Sequence, residues 1–317
     1  MRLSIDARLD YWLAAPADLL FALEVAQTPD QRLVTDLLRI GGVEELRPIA
    51  ADNGLGRRTW TRGEGRVTAH YTATVEVDRV GAMLHGLAED DIKLLPAEVV
   101  PFLFPSRYCE SDRFDALVRR EFGALSGGDR VEAMAEWIRG HLDYVVGSSD
   151  ATTTAADTYV AHRGVCRDFA HLLIAFVRAA DIPARMVAAY AWRLDPPDFH
   201  AVVEVWLDGA WRLIDPTGLA PVEGLVRIGV GRDATDISFM TIFGAVSLTL
   251  YVVHDAVAIV LMMVPVGGKH LGEKLLAAIA ATGLPLDWTS MLYAVIAGGI
   301  SIAVTLALRA RGWVLRV

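Results

Sequence analysis

The chain has 317 residues, which is long enough to bury a substantial core in one large domain or two smaller ones. Its formal net charge is -9, with both signs interspersed and no basic block, so a nucleic-acid partner is not expected. Two cysteines in a chain of this length do not form a disulfide framework, and a reducing compartment is the simpler setting. The mean hydropathy of +0.36 is high for a soluble protein.

The first part of the chain, residues 1–105, has the pattern of a β-rich, sandwich-like module. Residues 19–25 form an apolar run interrupted only by Glu24, and residues 70–77 alternate apolar and polar side chains with many β-branched and aromatic members. Between them, Gly63-Glu64-Gly65 predicts a turn. The first ten residues contain no apolar segment followed by a cleavage site, so we expect no signal peptide.

The second part, residues 106–250, mixes helical and strand patterns. Helices are predicted over 113–122, over 129–142 and over 155–161. This arrangement indicates an α+β domain in which helices pack on a sheet.

Residues 163–171, with the sequence Arg-Gly-Val-Cys-Arg-Asp-Phe-Ala-His, contain the first candidate for chemistry. Gly164 permits a tight turn, and an apolar helix follows Cys166 and stops before Pro183. Cys166 is therefore expected at a helix N-terminus, where the free N–H groups and the helix dipole favour a reactive thiolate.

A β-hairpin farther along the chain brings a histidine and an aspartate together. Asp208-Gly209 is a strong signal for a two-residue turn, which would pair Leu207 with Ala210. In that register His200 and Asp215 share one face of the sheet as diagonal neighbours, within reach of each other's side chains.

Cys166, His200 and Asp215 together have the residue types of a nucleophilic site. A cysteine nucleophile needs a histidine to hold its proton and a third group to fix the imidazole. The alternative is that Cys166 is a small buried residue without a chemical role, which is common for cysteine.

Other residues near Cys166 have structural as well as functional interpretations. Asp168 either supports the site or is a carboxylate that stabilises the start of the helix. His171 is expected to be packed or hydrogen-bonded in the helix. A metal site made of His162, Cys166 and His171 is not expected, because spacings of four and five do not share one helix face. We therefore predict no metal and no cofactor.

Three tryptophans and the second cysteine are also open to two interpretations. Trp192, Trp206 and Trp211 either line a substrate cleft or belong to the core of the strands that carry them. Cys109 has no partner at motif spacing and is interpreted as structural.

The sequence from residue 154 to residue 217 resembles bacterial transglutaminase-like proteins. The similarity is carried in order by Thr154 to Tyr159, Arg163 to His171, Ile182 to Arg185, Phe199 to Ala201 and Ile214 to Thr217, and upstream by Phe104 to Tyr108. The resemblance implies a papain-like core, in which a nucleophile helix packs on an antiparallel sheet, preceded by a β module. It also implies that Cys166 is the nucleophile, His200 the acid and base, and Asp215 the residue that orients the imidazole, with the Cys166 N–H helping to bind the oxyanion.

The resemblance implies cysteine-dependent acyl transfer on amide groups of proteins or peptides. Resolution of an acyl-enzyme by an amine would give cross-linking, and resolution by water would give protease or deamidase activity. The sequence leaves these two outcomes open, together with a non-catalytic binding module that keeps the fold.

The last part of the chain, residues 251–317, departs from the family, whose members close with a strand near 237–250. Residues 256–268 carry no charge, and neither do the 21 residues from Trp288 to Leu308, which are followed by arginines. The second run is long enough to span a bilayer. A hydrophobic helical hairpin that attaches a cytoplasmic catalytic domain to a membrane is therefore predicted, and a tail without function is the alternative.

Overall fold

A computed structural model describes residues 1–51, 54–79, 84–238, 240–243, 265–266 and 269–281. The chain divides into two compact units. The first contains residues 1–15 and 19–241, and the second contains residues 16–18 and 242–317.

The N-terminal part of the first unit is a sheet of long strands. The strands are β1 (Arg2–Phe21), β2 (Gln31–Val43), β3 (Arg47–Ala50) and β4 (Arg57–Val77). β4 lies between β1 and β2, and β3 pairs with the beginning of β4. Alternate side chains of the second half of β4 are buried, as a strand with one covered face requires. The predicted strand-rich N-terminal region is confirmed.

The turn predicted at Gly63-Glu64-Gly65 is wrong, because these residues lie inside β4. The pairing with β2 jumps from Gly41 opposite Thr68 to Val43 opposite Gly63, so β4 carries extra residues at this point. The last glycine of the motif has a φ of +70°, a conformation that glycine adopts without strain. The glycines therefore form a bulge in one long strand instead of ending it.

Short helices and strands connect this sheet to the nucleophile helix. After 3₁₀ turns at Ile92–Leu94, Val100–Leu103 and Ser111–Arg113, the elements are α1 (Asp115–Phe122), α2 (Gly127–His141), β5 (Asp143–Tyr144), α3 (Ala155–Ala161), β6 (Arg163–Gly164) and α4 (Cys166–Ala179). The helices predicted over 113–122, 129–142 and 155–161 are confirmed to within two residues at each end.

A four-stranded antiparallel sheet supports α4. Its strands are β7 (Ala184–Ala191), β8 (Phe199–Leu207), β9 (Ala210–Ile214) and β10 (Leu225–Gly231), in the order β10-β7-β8-β9. The buried side of α4 packs on β7 and β8 in the main hydrophobic core. The short helix α5 (Ala234–Ile237) and the strand β11 (Met240–Phe243) follow. A helix on an antiparallel sheet is the α+β core that the resemblance implies.

The predicted hairpin register between β8 and β9 is confirmed. Leu207 pairs with Ala210 and Val203 pairs with Ile214. Asp208 and Gly209 have φ values of 52° and 68°, so both turn residues are left-handed, as in the turns that match the twist of a two-residue hairpin.

A buried network of ion pairs holds β8 in place. Glu204 is fully buried and binds Arg185 of β7 at 2.7 Å and Arg227 of β10 at 2.7 Å. Arg227 also binds Asp30, which precedes β2, at 2.9 Å. Because each buried charge needs a partner, the network fixes the strand that carries His200 relative to β7 and β10.

The described residues of the second unit are few. Those that follow β11 form the paired strands β12 (Pro265–Val266) and β13 (Lys269–His270) and the helix α6 (Leu271–Ala280). No helix among the described residues is long and apolar enough to cross a membrane. The run from Trp288 to Leu308 lies outside the described residues, so the membrane hairpin stays a prediction.

Candidate active site

Cys166 is the first residue of α4, and two short strands fix its position. β5 and β6 run parallel, with Asp143 opposite Arg163 and Tyr144 opposite Gly164. The Val145 N–H extends this ladder by donating to the Gly164 carbonyl at 2.9 Å. The nucleophile predicted from sequence is therefore at a helix N-terminus. Backbone hydrogen bonds with β5 and Val145 fix the segment that precedes it.

Asp168 holds the same loop from inside the helix. Its carboxylate is fully buried and accepts hydrogen bonds from the Val165 N–H at 2.8 Å and from the Ser149 hydroxyl. A Cβ added to Gly164 would lie 2.6 Å from the Asp168 Cβ, so only glycine fits there. These contacts are those of a helix-start carboxylate. Asp168 lies outside the lining of the cleft described below.

His200 and Asp215 are neighbours at the buried end of the hairpin. The His200 Nε2 lies 3.0 Å from the Asp215 Oδ2. Asp215 also accepts hydrogen bonds from the Thr217 hydroxyl at 2.7 Å, the Thr217 N–H at 2.9 Å and the Ala220 N–H at 3.0 Å. These bonds and the charge of His200 outweigh burial, which on its own raises the pKa, so the pKa of Asp215 is held below its usual range.

The protonation of His200 depends on both of its neighbours. Burial disfavours the imidazolium, but hydrogen bonding with Asp215 and Cys166 and the charges of these groups raise the pKa of His200 to about 9. The His200 Nε2 faces Asp215, and the His200 Nδ1 has no hydrogen bond of ordinary geometry. Nδ1 is therefore the nitrogen that can exchange a proton with the Cys166 thiol. An imidazolium beside sulfur favours the thiolate. The arrangement can therefore activate a cysteine nucleophile.

A cleft of about 430 Å³ opens at Cys166 and His200. We call it the Cys166 cleft. Its other lining residues belong mainly to β7, β8 and α5 and to the segment before α1, and they include Arg107, Tyr108, Met186, Ala188, Ala201 and Ile237. Cys166, which is partly exposed, therefore lies at a depression lined by apolar side chains and by two arginines.

Tyr144 is a neighbour of Cys166 that sequence reasoning missed. Burial raises the pKa of its hydroxyl to about 12, and contacts with the Cys166 side chain and backbone N–H also act on it. Its ring packs against Phe169 of α4 at 5.9 Å. The useful signal would have been its pairing with Gly164, two residues before the nucleophile, but a two-residue parallel pair leaves no periodic pattern in a sequence.

Thr217 was also missed as a functional residue, although it belongs to the motif that resembles the family. A threonine two residues after an aspartate is a frequent local partner of that carboxylate, which is the signal that could have identified it. Its hydroxyl also lies 3.5 Å from the His200 Nε2.

The two other histidines near the helix lie apart from the site. His171 is buried, its Nε2 accepts a hydrogen bond from the Ala234 N–H at 3.2 Å, and its ring stacks on Tyr108. Burial lowers the pKa of His171 to about 3, so it is a neutral packed histidine. His162 is exposed at the C-terminal end of α3.

Cys109 and the three tryptophans lie away from Cys166. Cys109 is fully buried, and burial raises the pKa of its thiol to about 12. Trp206 and Trp211 pack edge to face at 5.3 Å, and Arg185 stacks on Trp211 at 4.0 Å. Among the described residues, the lining of the Cys166 cleft contains no tryptophan. Trp206 and Trp211 are half-buried, and Trp192 and Trp206 line two separate grooves.

Comparisons with known proteins agree with this architecture. The family model described as the transglutaminase-like superfamily matches residues 117–216. The crystal structure of a candidate cysteine protease from Cytophaga hutchinsonii is 36% identical and superposes with a TM-score of 0.73, over 77% of this chain and 86% of that one.

Two mycobacterial relatives match a shorter region. An uncharacterised protein of Mycobacterium leprae is 35% identical over 117 residues, and one of Mycobacterium tuberculosis is 31% identical over 119 residues. These alignments cover 34% and 33% of this chain, and 42% and 38% of the relatives, so the chain spans less than half of their length. By its fold and by its likeness to the Cytophaga protein, the chain belongs to the transglutaminase-like superfamily.

Proposed function

We propose that the protein is a cysteine-dependent acyl-transfer enzyme that acts on amide groups of proteins or peptides. The observation that carries the proposal is the buried imidazole of His200, which has Asp215 at 3.0 Å on one side and the Cys166 side chain on the other. Cysteine, histidine and a carboxylate in this order form a nucleophile, a base and an orienting group.

In the first half-reaction the Cys166 thiolate attacks the amide carbonyl carbon, and the carbonyl oxygen becomes an oxyanion. The Cys166 backbone N–H at the start of α4 is available to stabilise this charge, and the Tyr144 hydroxyl is next to it. The C–N bond then breaks as the His200 imidazolium gives its proton to the leaving nitrogen. The products are a thioester on Cys166 and a free amine or ammonia.

In the second half-reaction the neutral His200 takes a proton from the incoming nucleophile. As the nucleophile bonds to the acyl carbon, the thioester C–S bond breaks and the Cys166 thiolate leaves. A primary amine would form a new amide and complete a transglutaminase reaction. Water would form a carboxylic acid and complete a peptidase or deamidase reaction. Asp215 keeps the imidazole oriented in both steps, and its charge stabilises the imidazolium.

The experiment that tests the proposal incubates the purified protein with casein and a biotinylated primary amine, followed by mass spectrometry of the casein. Wild type is compared with Cys166→Ala, and Cys109→Ala serves as the control that removes the other thiol. Amine incorporation that is lost only in Cys166→Ala identifies a transglutaminase. Cleaved or deamidated casein with the same dependence on Cys166 identifies a hydrolase.

A non-catalytic module would give no product that depends on Cys166. Iodoacetamide labelling below about pH 7 separates that case from an enzyme of narrow specificity, because a free cysteine with a pKa near 8.5 reacts slowly there. Fast labelling of Cys166 supports the enzyme, and equally slow labelling of both cysteines contradicts the proposal.

A further inference from the structure

The Cys166 cleft has an apolar wall next to the reacting sulfur. Met186 and Ala188 of β7, Ala201 of β8 and Ile237 of α5 present their side chains to it. A volume of about 430 Å³ is at the small end of ligand pockets, which suits one residue of a peptide rather than a large ligand.

The rim of the cleft is positively charged, although the whole chain has a net charge of -9. Arg107 and Arg167 line it, and no Asp or Glu side chain does so in the part of the chain that the structure describes. The Arg167 guanidinium already has two partners, since it donates to the Asp150 carbonyl at 2.8 Å and lies 3.4 Å from the Asp168 carboxylate.

Arg107 differs from Arg167 in having no anionic partner among the described residues. Its side chain is exposed and its guanidinium lies 5.1 Å from the ring centre of Tyr108. The nearby carboxylate of Asp233 is buried and occupied by the N–H groups of Tyr108 and Thr235, at 3.1 and 2.8 Å. The Arg107 guanidinium thus lies over an aromatic ring and is available to an anion at the cleft.

We infer that the Cys166 cleft selects substrates in which a branched apolar side chain stands next to a carboxylate. The side chain packs on the wall formed by Met186, Ala188, Ala201 and Ile237, and the carboxylate binds Arg107. The inference rests on the proposed function, because it takes Cys166 as the reacting group. It adds the substrate class, an apolar and acidic peptide segment, to that function.

The test uses haloacetamide probes that carry neither, one or both of these features. They are iodoacetamide, iodoacetyl-glycine, iodoacetyl-leucinamide and iodoacetyl-leucine. In each reaction the Cys166 thiolate forms a C–S bond with the methylene carbon while the C–I bond breaks and iodide leaves. Rates of Cys166 labelling are read by intact mass and divided by the rate with glutathione, which removes differences in intrinsic reactivity.

Iodoacetyl-leucine is expected to react fastest. Partial burial of a leucine side chain is expected to contribute about tenfold, and an exposed ion pair with Arg107 about threefold. Sodium chloride at about 0.5 M should remove most of the second factor and leave the first. A further probe, iodoacetyl-leucyl-glutamate amide, places the carboxylate on a side chain and so distinguishes an acidic residue from a chain end as the source of the charge.

Two pairs of variants assign the two factors to their residues. Arg107→Gln should remove the carboxylate preference, whereas Arg119→Gln, an exposed arginine on α1, should leave it unchanged. Ala188→Leu should remove the leucine preference by filling the wall, whereas Ala191→Leu on the same strand should keep it. Titrating wild type with salt needs no variant and measures independently how much of the carboxylate preference is electrostatic.

Equal normalised rates for the glycine and leucine probes would overturn the inference, as would equal effects of Arg107→Gln and Arg119→Gln. A different result would overturn the proposed function, namely iodoacetamide labelling of Cys166 no faster than glutathione at about pH 6. If the normalised rates of the other probes still follow the expected order in that case, they support the selectivity of the cleft.

Discussion

The His200 Nε2 and the Asp215 Oδ2 lie 3.0 Å apart, with only 1% and 3% of the two side chains exposed. Because the pair is shielded from water, its interaction is stronger than that of an exposed pair, and it fixes which nitrogen of the imidazole faces Cys166. The chemistry proposed for Cys166 depends on this relationship, and the following predictions probe the groups that create it.

Asp215→Ala should lower kcat/KM by about 100-fold or more, because the imidazole loses both its orientation and its charge partner. Asp215→Asn should lower it less, since an amide can still orient the ring, as asparagine does in papain-like proteases. The loss of charge should move the alkaline limb of the pH–rate profile from about 9 toward the ordinary histidine value. An unchanged alkaline limb in Asp215→Asn would contradict the assigned role.

Thr217→Val should lower the rate by about tenfold, because it removes a hydrogen bond to a buried carboxylate. Thr217→Ser keeps the hydroxyl and is the matched control, for which we expect a rate near that of wild type. Steady-state kinetics with the substrate identified by the casein experiment would measure both. If the two variants lose equal activity, the methyl group and its packing matter more than the hydrogen bond.

Tyr144→Phe should lower acyl-transfer activity by about tenfold, because the hydroxyl beside the Cys166 N–H can donate to the oxyanion. Alkylation of Cys166 by iodoacetamide develops no oxyanion, so its rate should change little. Comparing the two rates in one variant separates this role from a general disturbance of the site. Parallel loss of both rates would indicate that Tyr144 only supports the loop.

The stability contributed by His200 should depend on pH. Its pKa is raised from about 6.5 to about 9 in the folded state, so its stabilising contribution is complete below about pH 6.5 and is lost as the pH rises to about 9. The difference in unfolding free energy between wild type and His200→Gln should therefore shrink between about pH 6 and about pH 9.5. Urea unfolding at the two pH values measures it, and a difference that grows with pH would have the wrong sign.

Gly164→Ala should lower the free energy of unfolding by about 1–3 kcal/mol, because the new Cβ would lie 2.6 Å from the Asp168 Cβ. Gly140→Ala is the matched control. It lies near the end of α2, an added Cβ there meets nothing within 4 Å, and it should stabilise the helix by up to about 1 kcal/mol. Thermal or urea unfolding of both variants checks the pair, and equal effects would exclude the contact with Asp168 as the cause.

Local sequence signals predicted much of the core. Helix periodicity predicts α2, and the turn chemistry of Asp208-Gly209 predicts the register that makes His200 and Asp215 neighbours. These features depend on short-range geometry, which a sequence pattern expresses directly.

Features that depend on contacts between distant segments were not predictable in the same way. The pattern Gly63-Glu64-Gly65 predicts a turn where the structure has a bulge, because glycines serve both structures and only the pairing with β2 distinguishes them. Tyr144 reaches Cys166 through a pair of two-residue strands that are 20 residues apart in sequence. The partly buried pairing of Arg227 with Asp30 likewise joins segments far apart in the chain, which no local pattern indicates.

The most direct measurement is the reaction of the protein with p-nitrophenyl acetate, followed by release of nitrophenolate and by intact and peptide mass spectrometry. Wild type should give a burst close to one equivalent, with a single acetyl group on Cys166 that later disappears by hydrolysis. Cys166→Ser and His200→Ala should give no burst. Acetylation elsewhere in wild type, or a burst that persists in His200→Ala, would contradict a nucleophile activated by the His200–Asp215 pair.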